Sequence, residues 1–250
     1  EFEQMEMQYF VPPGTELGFY ETWKEKRLNW HLALGLGAEN YKFHDHEKLA
    51  HYANAAADIE FKFPFGFKEL EGIHSRTDFD LSAHEKHSGR KLQYFDAERN
   101  ENYVPYVVET SVGLDRLFLA IFSNCLKDEV LEDGSERTVL SLPPALAPVK
   151  AAILPLMKKD GLGEYGEKIF NDLKYDFNMI YEDKDSIGKR YRRQDAIGTP
   201  FCITIDHDSL TDNTVTLRDR DTMKQERVAV ADLRRIIDEK TNFRNLLSKI

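Results

Sequence analysis

The 250-residue sequence predicts an α+β segment built on an antiparallel sheet, followed by an α/β domain built on a mixed sheet. Strand-like alternation dominates the first half with few helices between the strands, which favours antiparallel pairing. In the second half, strands and helices alternate. An acidic stretch at residues 128–137 contains an Asp-Gly turn signal and separates the two patterns. We therefore expect one domain over residues 1–135 and a second over residues 136–250.

Alternating apolar and polar residues predict the strands of the first half. In a strand over residues 1–11, Gln4, Glu6 and Gln8 would share one face. Further strands are expected at residues 59–67, 68–73, 91–95 and 103–110. Pro64 suggests that the strand containing it lies at an edge, bulges or ends early. Helices are expected at residues 15–34, with Thr15 as the N-cap, and at residues 47–56 and 113–127.

The second half shows the periodicities of both strands and helices. Strands are expected at residues 139–142, 177–181, 201–205, 215–218 and 226–230, and residues 149–156 form a strand or a mixed segment. Helices are expected at residues 164–173, 186–196 and 231–240. This order predicts a compact α/β domain with a mixed sheet.

The composition limits the class of protein. A net charge of −10 argues against non-specific coating of nucleic acid. This charge is still compatible with one local basic patch on an otherwise acidic surface. No apolar run approaches the roughly 20 residues that cross a bilayer, and the first residues do not read as a signal peptide. Cys125 and Cys202 lie far apart, so we expect reduced cysteines and a cytoplasmic protein. The missing initiator methionine predicts that the chain is a fragment.

The segment with the most chemical information is V-E-T-S-V-G-L-D-R, residues 108–116. If a strand runs into Ser111, then Glu109 and Ser111 share a face, and Gly113 permits a close backbone approach. Arg116 falls in the first turn of the following helix, from which it could reach a phosphate or stack on a base. From spacing alone, a strand-to-helix corner with a surface salt bridge explains the same residues.

Several motifs together resemble one family. Residues 109–116 resemble motif 3 of class II aminoacyl-tRNA synthetases in its glycyl-tRNA synthetase form; they read E-T-S-V-G-L-D-R. The opening residues 1–10 resemble the second half of motif 2; they read E-F-E-Q-M-E-M-Q-Y-F. Residues 46–53 and 63–81 resemble the family's catalytic insert and central strand; they read H-E-K-L-A-H-Y-A and F-P-F-G-F-K-E-L-E-G-I-H-S-R-T-D-F-D-L. Residues 137–150, 188–205 and 214–228 resemble the class II anticodon-binding domain. They read R-T-V-L-S-L-P-P-A-L-A-P-V-K, G-K-R-Y-R-R-Q-D-A-I-G-T-P-F-C-I-T-I and T-V-T-L-R-D-R-D-T-M-K-Q-E-R-V. The motifs follow the family order and cover nearly the whole chain, so we expect a partial class II catalytic core before the anticodon-binding domain.

The resemblance implies a glycine pocket. Glu6 would lie beside the glycine ammonium group, and Glu109 and Ser111 would complete the pocket. Arg76 would hold the substrate carboxylate. Buried carboxylates suit an ammonium group and a guanidinium suits a carboxylate, so these residue types fit a substrate that has no side chain to recognise.

The resemblance also implies a nucleotide site. Arg116 would contact ATP and, with Glu109, contribute to catalysis. Glu69 and Glu71 share a face of the candidate strand and would contact ribose, ammonium or Mg²⁺. Positioning and charge neutralisation would dominate this chemistry.

The implied activity is that of a glycine–tRNA ligase, which uses ATP and Mg²⁺ to activate glycine and transfers it to the 3′ end of tRNA(Gly). The full-length enzyme is expected to be a homodimer. Motif 1 and the first half of motif 2, with its arginine for the ATP α-phosphate, are absent from the sequence, so this chain alone is expected to show little or no aminoacylation. The alternative is a non-catalytic, synthetase-derived accessory protein that binds nucleic acid. Retention of the pocket residues favours the enzyme.

Basic residues concentrate in the second half. One basic run lies in and just before the helix expected at residues 186–196. It comprises Lys184, Lys189, Arg190, Arg192 and Arg193. The run could contact the tRNA backbone or form a solvated helix face. Arg218 and Arg220 could contact anticodon bases.

Histidines concentrate in the first half, where seven of the eight precede residue 90. His44, His46 and His51 form one group, and His84 and His87 form another. Their spacing is compatible with zinc, but no cysteine joins them. We favour solvent-facing or hydrogen-bonded histidines and expect no metal site.

Overall fold

The computed structural model describes residues 2–248 and residue 250. The chain separates into two compact units, one ending at Ser123 and the other starting at Asn124. Within the described residues, no helix is both long and apolar enough to cross a membrane.

The first unit is built on a five-stranded antiparallel sheet, as the alternation predicted. Its elements in chain order are β1 Gln4–Val11, α1 Glu16–Ala33, β2 Tyr41–Asp45, β3 Ala55–Phe63, β4 Gly66–Thr77, α2 Phe79–Ser88, β5 Tyr94–Asp96, β6 Glu101–Tyr103, β7 Tyr106–Gly113 and α3 Leu114–Cys125. The strands lie in the order β1-β7-β4-β3-β2, and β5 and β6 form a separate hairpin. Helix α1 packs on one face of the sheet. The last residues of α3 belong to the second unit.

The helix expected at residues 47–56 was wrong, whereas two other local predictions were confirmed in part: the strand at residues 59–67 ends early, as Pro64 allowed, and Thr15 is the N-cap residue of α1. Residues 47–56 form a loop that runs into β3 and not a helix, because Asn54 N–H bonds the Ser75 carbonyl on the neighbouring strand. The alternation at residues 59–67 spans two strands, with Pro64 in the turn between β3 and β4. Thr15 does not cap α1 with its side chain, since its hydroxyl donates to the Pro12 carbonyl at 2.7 Å.

Strand β4 contains a β-bulge at Leu70. Ile59 on β3 pairs with Glu71, whereas the next residue, Glu60, pairs with Glu69. Leu70 is the extra residue, and its side chain is buried. Such a bulge changes which face the side chains on either side of it occupy.

The second unit contains a hairpin and a five-stranded mixed sheet. Its elements are β8 Leu126–Val130, β9 Glu136–Leu140, β10 Ala151–Pro155, α4 Leu162–Leu173, β11 Met179–Tyr181, α5 Ile187–Ile197, β12 Phe201–Ile205, α6 Ser209–Asp212, β13 Thr214–Asp219, β14 Gln225–Ala229, α7 Leu233–Thr241 and α8 Phe243–Leu247. The sheet order is β11-β10-β12-β13-β14. The first three strands are parallel and the last two pair antiparallel, so the predicted mixed sheet is present.

Alternation along the central strands creates two apolar layers. Ala151 and Ile153 on β10 pack in the main core, to which α4 and α7 contribute Ile169 and Ile237. The intervening residues of β10 face α5, where Leu154 packs with neighbours that include Tyr191. Helices therefore cover both sides of the sheet, as expected when parallel strands lie at its centre.

The acidic stretch that suggested a boundary is the turn of the β8–β9 hairpin. The structure divides between residues 123 and 124, whereas the sequence placed the boundary after residue 135. Strand β8 belongs to the second unit because it pairs with β9, and Arg137 on β9 bonds Asp195 of α5 at 3.2 Å.

Candidate active site and nucleic-acid interface

Two rows of side chains cross one face of the antiparallel sheet. In the first row, Glu109 on β7 lies between Gln8 on β1 and His74 on β4. In the second row, Ser111 lies between Glu6 and Gly72. Because directly paired residues project to the same face, three residues predicted for the glycine pocket meet on one surface. They are Glu6, Glu109 and Ser111.

Glu109 is held from several sides. Its side chain is buried, Gln8 Nε2 donates to Oε2, and Arg76 Nη1 donates to Oε1 at 3.0 Å. His74 Nδ1 lies 3.8 Å from the same Oε1. The carboxylate is therefore fixed in orientation, as a site for an ammonium group requires.

Arg76 has carboxylates on two sides and an aromatic ring below. It binds Asp80 through Nε at 2.7 Å and Nη2 at 3.1 Å, and its guanidinium lies 4.4 Å from the Tyr52 ring centroid. The hydrogen bond to Asp80 keeps the pKa of Arg76 above its ordinary value. Three of its five N–H groups are used by Asp80 and Glu109, which leaves donors for a substrate carboxylate.

Glu6 is the most accessible of the predicted pocket residues. It is exposed on β1, and within residues 2–248 its side chain has no hydrogen bond or ion pair. Ser111 is half-buried beside it. Two neighbours, Gln8 and His74, were not assigned to the pocket from the sequence. The even-numbered alternation of β1 already placed Gln8 on the face of Glu6, but no sequence signal showed that His74 pairs with Glu109.

A second group lies near the start of β4. Arg116 Nη1 is 3.2 Å from Glu69 Oε2 and donates to the Glu69 carbonyl at 3.1 Å. Both side chains are about half exposed. They border a depression of about 370 Å³, which is also lined by Phe63, Phe65 and Lys68. The structure thus brings a guanidinium, an ammonium, a carboxylate and aromatic rings together at an open surface.

Glu71 does not share this surface, and the expectation that it lies on the face of Glu69 was wrong. The bulge at Leu70 turns Glu71 toward α1, where it is fully buried. His31 Nε2 lies 2.7 Å from Oε2, and Arg27 bonds both oxygens. Burial would raise the pKa of Glu71, but the hydrogen bonds from His31 and Arg27 outweigh it, so this pKa lies below its ordinary value. Glu71 is therefore occupied by internal partners.

In the second unit, Arg218 is buried and bound by internal partners, and its predicted contact with anticodon bases stays a prediction. Its guanidinium binds both oxygens of Asp195, at 2.7 and 3.0 Å, and lies 4.8 Å from the Tyr191 ring centroid. Arg137 also binds Asp195 and donates to the Arg220 carbonyl at 2.8 Å. Burial lowers the pKa of Arg218, yet the bonds to Asp195 keep it above its ordinary value.

Arg190 and Arg220 are also buried, so neither projects toward solvent as predicted for RNA contact. Arg190 donates to the carbonyls of Pro155 and Glu182 at 2.7 and 3.0 Å. Arg220 donates to the carbonyls of Gly198 and Leu142, both at 2.7 Å. Their guanidinium groups satisfy buried carbonyl groups that strand and helix ends leave unpaired.

The remaining basic residues of α5 reach the surface. Lys189 is exposed, and Arg192 is 40% exposed although it lies 3.6 Å from Asp195. They border an open depression of about 360 Å³, whose lining also includes Tyr191, Arg218, Met223 and Gln225. Arg193, at 2.9 Å from Asp185, forms a surface ion pair outside this depression.

The histidines make separate contacts. His46 Nε2 lies 2.9 Å from Asp58 Oδ2, and His51 packs against Phe79. Among residues 2–248 and 250, no group of three or more His, Cys, Asp or Glu side chains is arranged to hold a metal ion. Cys125 and Cys202 are both free and buried.

The chain is similar to known proteins over most of its length. Residues 150–240 match the anticodon binding domain family. The chain is 57% identical over 229 residues to a glycine–tRNA ligase of Chlorobaculum tepidum, covering 91% of this chain and 48% of that protein. Its identity to the glycine–tRNA ligases of Macrococcus caseolyticus and Geobacillus thermodenitrificans is 53% and 51% over 245 residues, with coverage of 97% of this chain and 53% and 52% of those proteins. The chain matches the C-terminal portion of a glycyl-tRNA synthetase and spans about half the length of these relatives.

Proposed function

We propose that the protein containing this chain is a glycine–tRNA ligase, and that the chain supplies its amino-acid pocket and its anticodon-binding domain. The observation that carries the proposal is the paired arrangement of Gln8, Glu109 and His74 beside Glu6 and Ser111 on one sheet face. A fixed buried carboxylate next to an accessible one suits the ammonium group of a small amino acid.

The proposed reaction has two steps. A glycine carboxylate oxygen attacks the ATP α-phosphorus and pyrophosphate leaves; a ribose hydroxyl at the tRNA 3′ end then attacks the glycyl carbonyl and AMP leaves. Glu6 and Glu109 would hold the ammonium, with Ser111 completing the pocket wall. Arg76 would fix Glu109 and direct its remaining N–H groups at the substrate carboxylate. These residues hold the nucleophile in place and need not form covalent bonds.

ATP would approach the surface formed by Glu69 and Arg116. The aromatic lining of the adjoining depression suits a base, and the cations Arg116 and Lys68 suit phosphates. Mg²⁺ usually reaches such sites with substrate phosphates and one or two carboxylates, and Glu69 is an exposed carboxylate that fits this role. When bound, the ion would neutralise phosphate charge. Glu71 is excluded from this group because its oxygens are buried.

The tRNA would contact the open side of α5. Lys189 and Arg192 offer cations at the edge of a depression in an otherwise acidic chain, and Tyr191 supplies an aromatic edge. Of the predicted tRNA-binding residues, these two have exposed side chains at the depression; Arg193 is as exposed as Arg192 but is held by Glu182 and Asp185. The proposed cellular form is a cytoplasmic homodimer of the full-length enzyme.

Replacing Lys189 and Arg192 with alanine, one at a time, is expected to weaken tRNA binding about three- to tenfold and to lower the salt dependence by about one unit per residue, because each phosphate contact releases counterions. Filter binding of a tRNA(Gly) transcript at several salt concentrations measures both effects. Lys240→Ala on α7 is the matched control and should retain wild-type affinity. Equal behaviour of all three variants would contradict the assignment.

Glycine-dependent ATP–pyrophosphate exchange tests the proposed function. This chain is compared with a chain extended to the full length of its relatives, and we expect exchange by the extended chain alone. If neither chain shows exchange with glycine or any other amino acid, the enzyme proposal is wrong. A non-catalytic tRNA-binding protein would then remain as the explanation for the second unit.

A further inference from the structure

His74 occupies the proposed amino-acid pocket, although the motifs assign it no role. It pairs directly with Glu109 across β4 and β7, so both side chains project from the same face. Its Nδ1 atom lies 3.8 Å from Glu109 Oε1. Among the described residues, this buried nitrogen has no hydrogen-bond partner.

The imidazole lies across Gly72. A Cβ atom at position 72 would come within 2.8 Å of His74 Cε1 and 3.5 Å of Nδ1. Gly72 pairs with Ser111 in the neighbouring row. The ring therefore leans from the row of Glu109 toward the row of Glu6 and Ser111, between the groups proposed to contact the substrate.

Four charged or titratable groups face the His74 ring. Glu109 on β7 and Asp58 on β3 are anionic, Arg76 follows on β4, and His46 lies with its ring centroid 6.0 Å away. Burial is the main influence and, together with Arg76 and His46, lowers the pKa of His74 below its ordinary value despite the two carboxylates. The ring is therefore neutral at neutral pH.

We propose that His74 is a positioning residue for the amino-acid pocket that acts through Glu109. A neutral ring with its proton on Nε2 has no donor at Nδ1 and leaves Glu109 Oε1 to the ammonium group of the substrate, whereas the imidazolium donates from Nδ1 to that oxygen. A small rotation of the ring closes the 3.8 Å gap, because Nδ1 has no other partner to release. Proton binding at His74 and binding of the amino acid thus compete for one carboxylate. This inference rests on the proposed function.

The pH dependence of glycine-dependent exchange tests the competition in the full-length protein. The apparent KM for glycine is expected to rise about three- to tenfold as the pH is lowered from about 7.5 to well below the ordinary histidine pKa of about 6.5, with a smaller change in kcat. In His74→Gln, which cannot titrate, this rise should fall below about twofold. His87→Gln, an exposed histidine on α2, is the matched control and should follow the wild-type profile.

Two outcomes would overturn the inference for different reasons. If His74→Gln keeps the wild-type rise in KM, glycine binding depends on another group, and the proposed enzyme stands without this role for His74. If the wild-type protein shows no exchange at any pH, the proposed function fails and this inference fails with it.

A titration of His74 by NMR in this chain remains informative if His74→Gln does not fold. Removing the anion in Glu109→Gln is expected to lower the pKa of His74 further, because Glu109 favours the imidazolium. Glu101→Gln, on the separate hairpin, should leave the titration unchanged. An unchanged His74 titration in Glu109→Gln would show that the two groups are not coupled and would overturn the inference.

Discussion

Replacing Asp195 with asparagine is expected to lower the free energy of unfolding of the second unit by roughly 3–5 kcal/mol. The side chain is fully buried and binds Arg218 through both oxygens, with Arg137 on the other side. Asparagine keeps the shape but removes the charge, so the buried Arg218 loses its anionic partner and Arg137 is left with Glu129 as its anionic partner. Urea unfolding followed by circular dichroism measures the change.

The matched control is Asp185→Asn, which removes the carboxylate of an exposed ion pair with Arg193. Exposed pairs contribute little because water and salt screen them, so this variant should unfold close to the wild-type midpoint. If both variants lose the same free energy of unfolding, the buried contacts of Asp195 with Arg218 and Arg137 stabilise the unit no more than an exposed ion pair does.

Replacing Glu109 with glutamine is expected to lower kcat/KM for glycine activation in the full-length protein by roughly 30-fold to 1,000-fold, or about 2–4 kcal/mol. The buried carboxylate would otherwise attract the substrate ammonium, and an amide of the same shape presents no charge to it. Glycine-dependent pyrophosphate exchange at saturating ATP measures the loss. Glu101→Gln is the control, because this exposed glutamate lies on the separate β5–β6 hairpin.

The effect should appear in kcat/KM without loss of the folded structure. Gln8 and Arg76 both contact the Glu109 side chain, and Arg76 keeps Asp80 as a partner in the variant. A variant that is folded and as active as Glu101→Gln would remove Glu109 from the pocket.

The sequence predicted those parts of the site that depend on strand periodicity. Glu109 and Ser111 share a face because residues two apart in a strand always do, and the polar positions of β1 placed Glu6 and Gln8 on one face by the same rule. That β1 and β7 are neighbours is a long-range fact that periodicity does not contain. The resemblance to the family supplied it, and it brought no information about His74.

The predictions that failed depended on side-chain burial or on long-range pairing. Lys189 and Arg190 are adjacent in a basic run, but one faces solvent and the other binds the Pro155 carbonyl. Charge alone could not distinguish them. The burial of Arg218 could not be predicted either, because its partner, Asp195, is distant in sequence and pairs with it only in the folded domain.

The extra residue Leu70 shifts the side-chain alternation of β4 by one residue. Before it, β4 presents Glu69 beside Arg116, and after it the strand presents Glu71 to α1 and Gly72 to the pocket. Loss of Leu70 would make the pairing regular and would leave Glu69 and Glu71 opposite the same partners on β3, so the main cost would be the buried Leu70 side chain. In a regular strand, two glutamates at positions 69 and 71 would lie on one face; the extra residue instead lets β4 place one carboxylate beside Arg116 and the other in the core under α1.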